Sequence, residues 1–380
     1  MRVSVILPCR NEEQTIGICI EKIQNALKGK DYEIIVSDSS SDKSPAIAKK
    51  YGVKVIKHNL EGYGNAILQG IKYAKGDFII IGDADNTYDF FEIPKFIEQL
   101  NKGYDLVIGS RFKGNVEDGA MPFSHKYFGT PVLNFLIRFF FKIKISDINS
   151  GFRGIKREAL ENLNLNSSGM EFASEMLIKT ARKKLKIKEI PINYSKRIGS
   201  SKLRKFNDGW RHLRFMLLYS PNFTFLFPGL LFILLGFLIM GLVLAGKLVL
   251  FSIHFQTHPM FVGSILVILG YQLILTWIFT KIYSHNHLNE ENKSLDKLFK
   301  FFNLEKAVLA GIIFFLIGIL IYLDILVIWF ATNFGALNTI NISIFALTFV
   351  VLGIQTIFSG FFFSILGIQK TTSISGIKEK

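Results

Sequence analysis

Short apolar runs alternate with amphipathic stretches through the first part of the chain, and that alternation predicts its elements. Val3 to Leu7 reads as a strand closed by Pro8, and Asn11-Glu12-Glu13 then offers an N-cap and first-turn acids. A helix follows, because Ile16, Cys19, Ile20, Ile23, Ala26 and Leu27 fall on one face. Further strands are expected over Glu33 to Val36 (ending at Asp38), Val53 to Ile56, Phe78 to Ile81, Asp105 to Arg111 and, late in this part, Ile187 to Tyr194. Helices are expected through Ala46 to Tyr51, from the Glu61-Gly62-Tyr63-Gly64-Asn65 turn to about Ala74, and from the Gly169 to Glu175 stretch to about Leu185. Strands and helices in this order imply an α/β domain with a mostly parallel sheet and right-handed crossovers. Ligands of such sheets bind at the carboxyl ends of the strands.

Two segments break the pattern. Phe128 to Lys144 interleaves Phe135, Leu136, Phe139, Phe140 and Phe141 with Arg138, Lys142 and Lys144, which suits either a helix in the membrane interface or a core helix. Phe206 to Tyr219 alternates Trp210, Leu213, Met216 and Leu217 with Arg211, His212 and Arg214 and reads as an interfacial lead-in to a membrane. Beyond it the periodicity disappears into apolar runs. Asn222 to Gly246 and Pro259 to Thr280 carry no charge, and with Ala307 to Ala331 and Ile340 to Leu366 they make four candidate spans. Lys293, Lys297, Lys300 and Lys306 between the second and third spans, and Lys370, Lys378 and Lys380 in the tail, place the first part, the middle loop and the C-terminus on the cytoplasmic side. Asp324 is the one carboxylate within a span and is expected to reach the far interface. The expected boundaries are therefore a catalytic domain over 1–205, an interfacial helix over 206–221, a four-helix membrane domain over 222–368 and a tail over 369–380.

Charge narrows the partners. The 380 residues hold 45 Lys plus Arg against 30 Asp plus Glu, a net +15, and only nine Lys, no Arg and six acids follow Asn222. The soluble part thus carries most of the positive charge, which points to nucleotide phosphates or an acidic membrane surface. A nucleic-acid partner is not expected, since no motif for one occurs. Cys9 and Cys19 supply neither a disulfide framework nor a metal site, and no signal peptide is expected ahead of the first strand.

The candidate chemistry lies at the strand ends. The apolar run at Phe78 stops at Asp83-Ala84-Asp85, two carboxylates one residue apart, which can hold Mg²⁺ or Mn²⁺ and the diphosphate that such a cation bridges. Alone, the pair reads equally well as a polar turn. Pro8 to Glu12, Asp38 and Arg111 close three other strands at the same edge, and that convergence favours a nucleotide site.

Together these pieces resemble family 2 glycosyltransferases, and most closely the polyprenyl-phosphate hexose synthases of the dolichyl-phosphate mannose or glucose synthase kind. The residues that carry the match are Pro8-Cys9-Arg10-Asn11-Glu12, Asp38, Gly62 to Asn65, Asp83-Ala84-Asp85, Gly109-Ser110-Arg111-Phe112, Ser150-Gly151-Phe152, Glu175 and Gly199-Ser200-Ser201-Lys202. Asp85 to Asp89, Gly169 to Met176 and Gly209 to Pro221 look like a bacterial and archaeal branch with C-terminal membrane helices. The resemblance implies a GT-A fold (a Rossmann-like mixed sheet), an inverting displacement and a polyprenyl phosphate acceptor at the cytoplasmic face of the cell membrane.

Carried over by position, Pro8, Arg10, Glu12 and Asp38 would hold the nucleoside of UDP-glucose or GDP-mannose. Asp83, Ala84 and Asp85 would meet ribose, diphosphate and metal, with Asp85 the more direct ligand, and Arg111 and Lys202 would contact phosphates. Arg111, His125 and Lys126 would receive the acceptor's phosphate. Glu175 stands where relatives with hydroxyl acceptors place a base and is expected to orient the acceptor pocket. The Gly199 to Lys202 loop would act as a lid. Three positions depart from the pattern: Arg10 replaces a Tyr, Thr87 a Gln, and Ser39-Ser40-Ser41 lacks a Gly. A transferase to a lipid hydroxyl and a non-catalytic scaffold or flippase component are the rival readings, and homo-oligomerisation is left open. A processive polysaccharide synthase is disfavoured, because the Gln-X-X-Arg-Trp motif is missing.

Overall fold

The computed structural model describes residues 1–199, 205–250, 253–254, 257–288 and 304–367. They form two compact units, Met1–Tyr219 and Ser220–Lys380.

The first unit is built on a seven-stranded sheet of β1 (Val3–Cys9), β2 (Tyr32–Asp38), β3 (Lys54–Lys57), β4 (Phe78–Ile81), β5 (Leu106–Ser110), β6 (Arg153–Lys156) and β7 (Ile187–Pro191). Its order is β3-β2-β1-β4-β6-β5-β7. All neighbours are parallel except β6, which runs antiparallel to both β4 and β5. The pattern misses β6 because Arg153-Gly154-Ile155-Lys156 offers one large apolar side chain and two charges. The predicted last strand closes early at Pro191, and Tyr194 makes only isolated bridges to Tyr88 and Val116.

Strand alternation divides the core into two layers. Val3, Val5 and Leu7 of β1 face α1 (Ile16–Ala26) and α4 (Ile93–Asn101), whereas Ile6 joins Ile79 and Ile81 of β4 against the opposite layer. That second layer holds α3 (Tyr63–Tyr73), α5 (Thr130–Phe141), α6 (Arg157–Leu163), α7 (Phe172–Arg182) and α8 (Lys205–Leu218); α2 (Ser44–Lys50) lies on the α1 side. Cys9 and Cys19 are buried and free, and burial pushes both thiols up to about 12, so they act as small apolar residues.

Helix α5 has one buried and one exposed face. Leu133, Asn134 and Ile137 are buried, while Phe135 is 64% and Phe139 52% exposed on the other face. Helix α8 packs on α5 and α7 through Met216 and His212, whose Nδ1 lies 2.6 Å from Ser174 Oγ, and leaves Trp210 and Leu218 outside. Burial, then the charge of Arg153, pushes His212 down to about 4, so it packs as a neutral ring.

The second unit contains α9 (Phe227–Leu244), α10 (His258–Leu288), α11 (Leu304–Ala331) and α12 (Ile340–Gly367), and the four stretches Asn222–Leu244, His258–Ser284, Leu304–Ala331 and Ile340–Leu366 are long and apolar enough to cross a membrane. They pair as two tight hairpins. A Cβ at Gly229 would lie 2.8 Å from the Gly270 carbonyl and one at Gly236 2.6 Å from that of Gly263, joining α9 to α10. In α11 the same seven-residue spacing recurs: Cβ atoms at Gly311 and Gly318 would approach the carbonyls of Gly353 (2.8 Å) and Ala346 (2.7 Å) of α12. The hairpins join through α10 and α12, where Ser264 meets Thr348 at 2.8 Å and Tyr271 meets Thr356 at 2.5 Å. Asp324 is exposed near the end of α11. Gly236→Leu and Gly318→Leu are each expected to destabilise the protein by about 1–3 kcal/mol, because overpacking there pushes two backbones apart; thermal unfolding in detergent measures it.

Candidate active site

The strand order reverses between β1 and β4, and the loops leaving these strands hold the acids. Asp83 and Asp85 follow β4. Asp85 Oδ1 accepts from Thr87 N (3.1 Å) and Thr87 Oγ1 (2.6 Å), and its Oδ2 lies 3.1 Å from Arg197 Nη1. Arg197 Nη2 also pairs with Glu12 Oε1 beyond β1. Ala84 is buried, and its carbonyl accepts a 2.7 Å bond from Thr15 Oγ1, tying the acidic turn to the start of α1.

Asp83 Oδ1 is buried without a hydrogen-bond partner. Burial, with the charge of Asp85 beside it, pushes its carboxyl up to about 7. Arg197 sets a guanidinium against Asp85, while Asp83 has no ion-pair partner among the described residues. Among the described residues no third His, Cys, Asp or Glu joins it as a ligand cluster. The donor set therefore fits a hard divalent ion that completes its shell with diphosphate oxygens and water, the usual habit of Mg²⁺.

Backbone close to Asp83 is glycine for steric reasons. A Cβ on Gly151 would sit 2.7 Å from the Tyr63 hydroxyl and 2.9 Å from Asp83 Oδ2. Tyr63 in turn stands between Gly62 and Gly64, whose Cβ positions would lie 2.2 Å and 2.0 Å from the Ser168 and Ser167 carbonyls. Glu175 holds that loop in place: it is buried, accepts from Asn166 N (3.1 Å) and Ser167 N (2.8 Å), and pairs with Lys179 at 2.7 Å. Its carboxylate is thus occupied by backbone amides and a lysine.

Arg111 leaves β5 into a two-pronged pair with Asp147, Nε to Oδ2 at 2.7 Å and Nη2 to Oδ1 at 2.8 Å, and stacks over the Tyr194 ring. Burial opposes its charge, but Asp147 outweighs burial and the guanidinium stays firmly protonated. Glu189 of β7 fixes the Asp147 turn by accepting from Ser146 N (2.8 Å) and Asp147 N (3.0 Å). Arg153, fully buried, braces the other end of the turn with bonds to the Ser150, Ile148 and Ala173 carbonyls.

The nucleoside candidates lie at β1 to β3. Asp38 is fully buried at the end of β2, and neither carboxylate oxygen has a hydrogen-bond partner. Beside it a cavity of about 220 Å³ is lined by Arg10, Ser39, Ser40, Lys57, His58 and Glu61, among others. Arg10 is exposed and 3.3 Å from Glu61, and Pro8 sits within β1 opposite Ser37. His125 and Lys126 open the π-helical turn His125–Gly129, with the Lys126 ammonium 5.6 Å from the Tyr127 ring centre. Lys202 lies outside the described residues. The sequence places Arg197 at the start of the basic loop, Asp147 in a Ser/Asn turn and Tyr63 within the Gly62 to Asn65 stretch that carries the resemblance, and it assigns none of the three a role in the site.

The family model for glycosyl transferase family 2 matches residues 4–163, and that for its C-terminal transmembrane region matches 278–367. A low-salt glycan biosynthesis hexosyltransferase, Agl6 of Haloferax volcanii, is 37% identical over 369 residues, 96% of this chain and 89% of its own. The chain is a family 2 glycosyltransferase. The dolichol-phosphate mannosyltransferase of Pyrococcus furiosus is 37% identical over 216 residues (54% of this chain, 60% of its own), and a dolichyl-phosphate hexose transferase of H. volcanii 32% over 207 (54% and 89%). Among solved structures, glucosyl-3-phosphoglycerate synthase from Mycobacterium tuberculosis, in complex with Mn²⁺ and UDP, aligns with a TM-score of 0.47 and 23% identity, covering 57% of this chain and 79% of its own. As a glycosyltransferase, the enzyme has a GT-A-like mixed sheet as its catalytic fold and is an integral membrane protein.

Proposed function

We propose that the enzyme transfers a hexose, glucose or mannose, from UDP or GDP to a polyprenyl phosphate, with inversion, at the cytoplasmic face of the cell membrane. The product is a lipid-linked sugar that serves as a donor for glycosylation. The observation that carries this reading is the state of Glu175. At the position where a hydroxyl acceptor needs a base, the carboxylate is spent on two backbone amides and Lys179. A phosphate acceptor needs no base, since a monoester loses its second proton near pH 6, roughly. The dolichyl-phosphate names of two relatives agree with it.

In this reading Asp38 accepts N–H or O–H groups of the nucleoside, and Asp83 and Asp85 hold the ribose and diphosphate end of the donor. A divalent cation, Mg²⁺ or Mn²⁺, would neutralise the charge that grows on the departing diphosphate. Two of the five N–H groups of Arg111 face Asp147, and the others, with Lys126 and His125, receive the acceptor phosphate. One acceptor oxygen attacks the anomeric carbon as the bond to the diphosphate breaks, which inverts that centre. The exposed aromatic faces of α5 and α8 suit the membrane interface where the lipid's head lies.

Membranes incubated with labelled UDP-glucose or GDP-mannose plus polyprenyl phosphate are expected to yield a labelled lipid that mild acid cleaves. Label appearing only on a hydroxyl lipid overturns the reading. Glu175→Gln is expected to keep transfer within about tenfold of wild type, because the amide oxygen still accepts from Ser167. Abolition of transfer in a folded Glu175→Gln chain assigns it the base role instead.

A further inference from the structure

Arg197 cross-links two strand ends of the donor edge. Its Nη1 lies 3.1 Å from Asp85 Oδ2, its Nη2 pairs with Glu12, and its side chain is 23% exposed. Asp85 Oδ1 is taken by Thr87, so Oδ2 is the oxygen left for a cation, and Arg197 occupies it. The backbone behind Arg197 is anchored by Tyr194 N to Asn115 O (2.9 Å), Ser195 N to Thr87 O (2.8 Å) and Lys196 N to Glu117 Oε2 (2.9 Å). A swing of the side chain alone releases the acids.

We propose that Arg197 is the resident cation of the donor site: its guanidinium neutralises Asp85 and Glu12 until a divalent cation displaces it, and the incoming diphosphate then takes the guanidinium. Two cations compete for one carboxylate oxygen. A diphosphate relieves that competition twice, by adding oxygen ligands for the metal and by giving the planar guanidinium a two-pronged anionic partner. Metal and nucleotide therefore bind with positive coupling, and each raises the other's affinity by the same factor. The inference rests on the donor reading of this edge and is independent of the acceptor.

The test measures Mn²⁺ binding to the full chain in detergent by electron paramagnetic resonance, alone and with UDP or GDP. Arg197→Gln is expected to bind Mn²⁺ alone about tenfold more tightly than wild type, the effect of relieving one partly buried pair. It is also expected to lose part of the gain that nucleotide gives the wild type. Arg197→Lys keeps the charge without the fork and should fall between them. Unchanged or weaker binding of Mn²⁺ alone by Arg197→Gln overturns the proposal. The wild-type chain supplies an arm that needs no variant to fold: trypsin cleavage after Arg197, read by mass, should quicken with Mn²⁺ alone and slow again when UDP or GDP is added. Indifference of that cleavage to Mn²⁺ also overturns it. No arm uses sugar transfer, so a chain that behaves as stated yet makes no lipid-linked sugar overturns the function above and leaves this inference standing.

Discussion

Asp85→Asn is expected to lower sugar transfer by about a thousandfold with the chain still folded, since removing one preorganised electrostatic contact to a charged leaving group has an effect of that order. The change separates charge from shape. An amide oxygen at the same place still accepts the bonds from Thr87 N and Thr87 Oγ1, at 3.1 and 2.6 Å in the native chain, so the turn after β4 keeps its form. What disappears is the negative Oδ2 that now pairs with Arg197. Formation of labelled lipid, followed beside thermal unfolding, measures both. Retention of more than about a tenth of the activity would place the metal and diphosphate elsewhere.

Arg111→Ala is expected to destabilise the catalytic unit by about 3–5 kcal/mol, because Asp147 is left as a buried charge without its partner. Asp147 has no exposed surface, and each of its oxygens accepts from the Arg111 guanidinium; the backbone N–H of residue 111, 3.1 Å away, survives in the Ala variant but brings no compensating charge. The paired replacement Arg111→Met with Asp147→Leu removes the stranded charge and is expected to recover most of the lost stability. Transfer should not return with it, since the proposed acceptor contact needs the N–H groups that Asp147 leaves over. Recovery of both stability and transfer in the double variant would reduce Arg111 to a structural strut.

The strand ends were legible because parallel sheets force the reading. A buried strand needs an unbroken apolar run, as in Phe78 to Ile81, and its polar residues must collect where the run stops. Asp38, Asp83, Asp85 and Arg111 all follow that rule, and the membrane spans follow a simpler one of length and absent charge. The antiparallel β6 was not legible, since its burial comes from neighbours on both sides and not from its own composition. Glu175 shows the same limit at a functional position. By sequence it stands where relatives with hydroxyl acceptors place a base and is expected to orient the acceptor pocket, while its hold on Asn166 and Ser167 depends on a loop that only the packed chain brings to it.

By itself, then, the pattern of apolar and charged positions determined an α/β sheet with acids along one edge and four helices fit for a membrane, because both follow from periodicity and from the cost of burying charge. Tertiary structure alone decided which charge meets which: Arg111 with Asp147, Glu175 with the Ser167 loop, and Arg197 with Asp85 and Glu12. These partners lie 36, 8, 112 and 185 positions apart, and no local pattern encodes a pair whose members meet only when separate strands and loops converge.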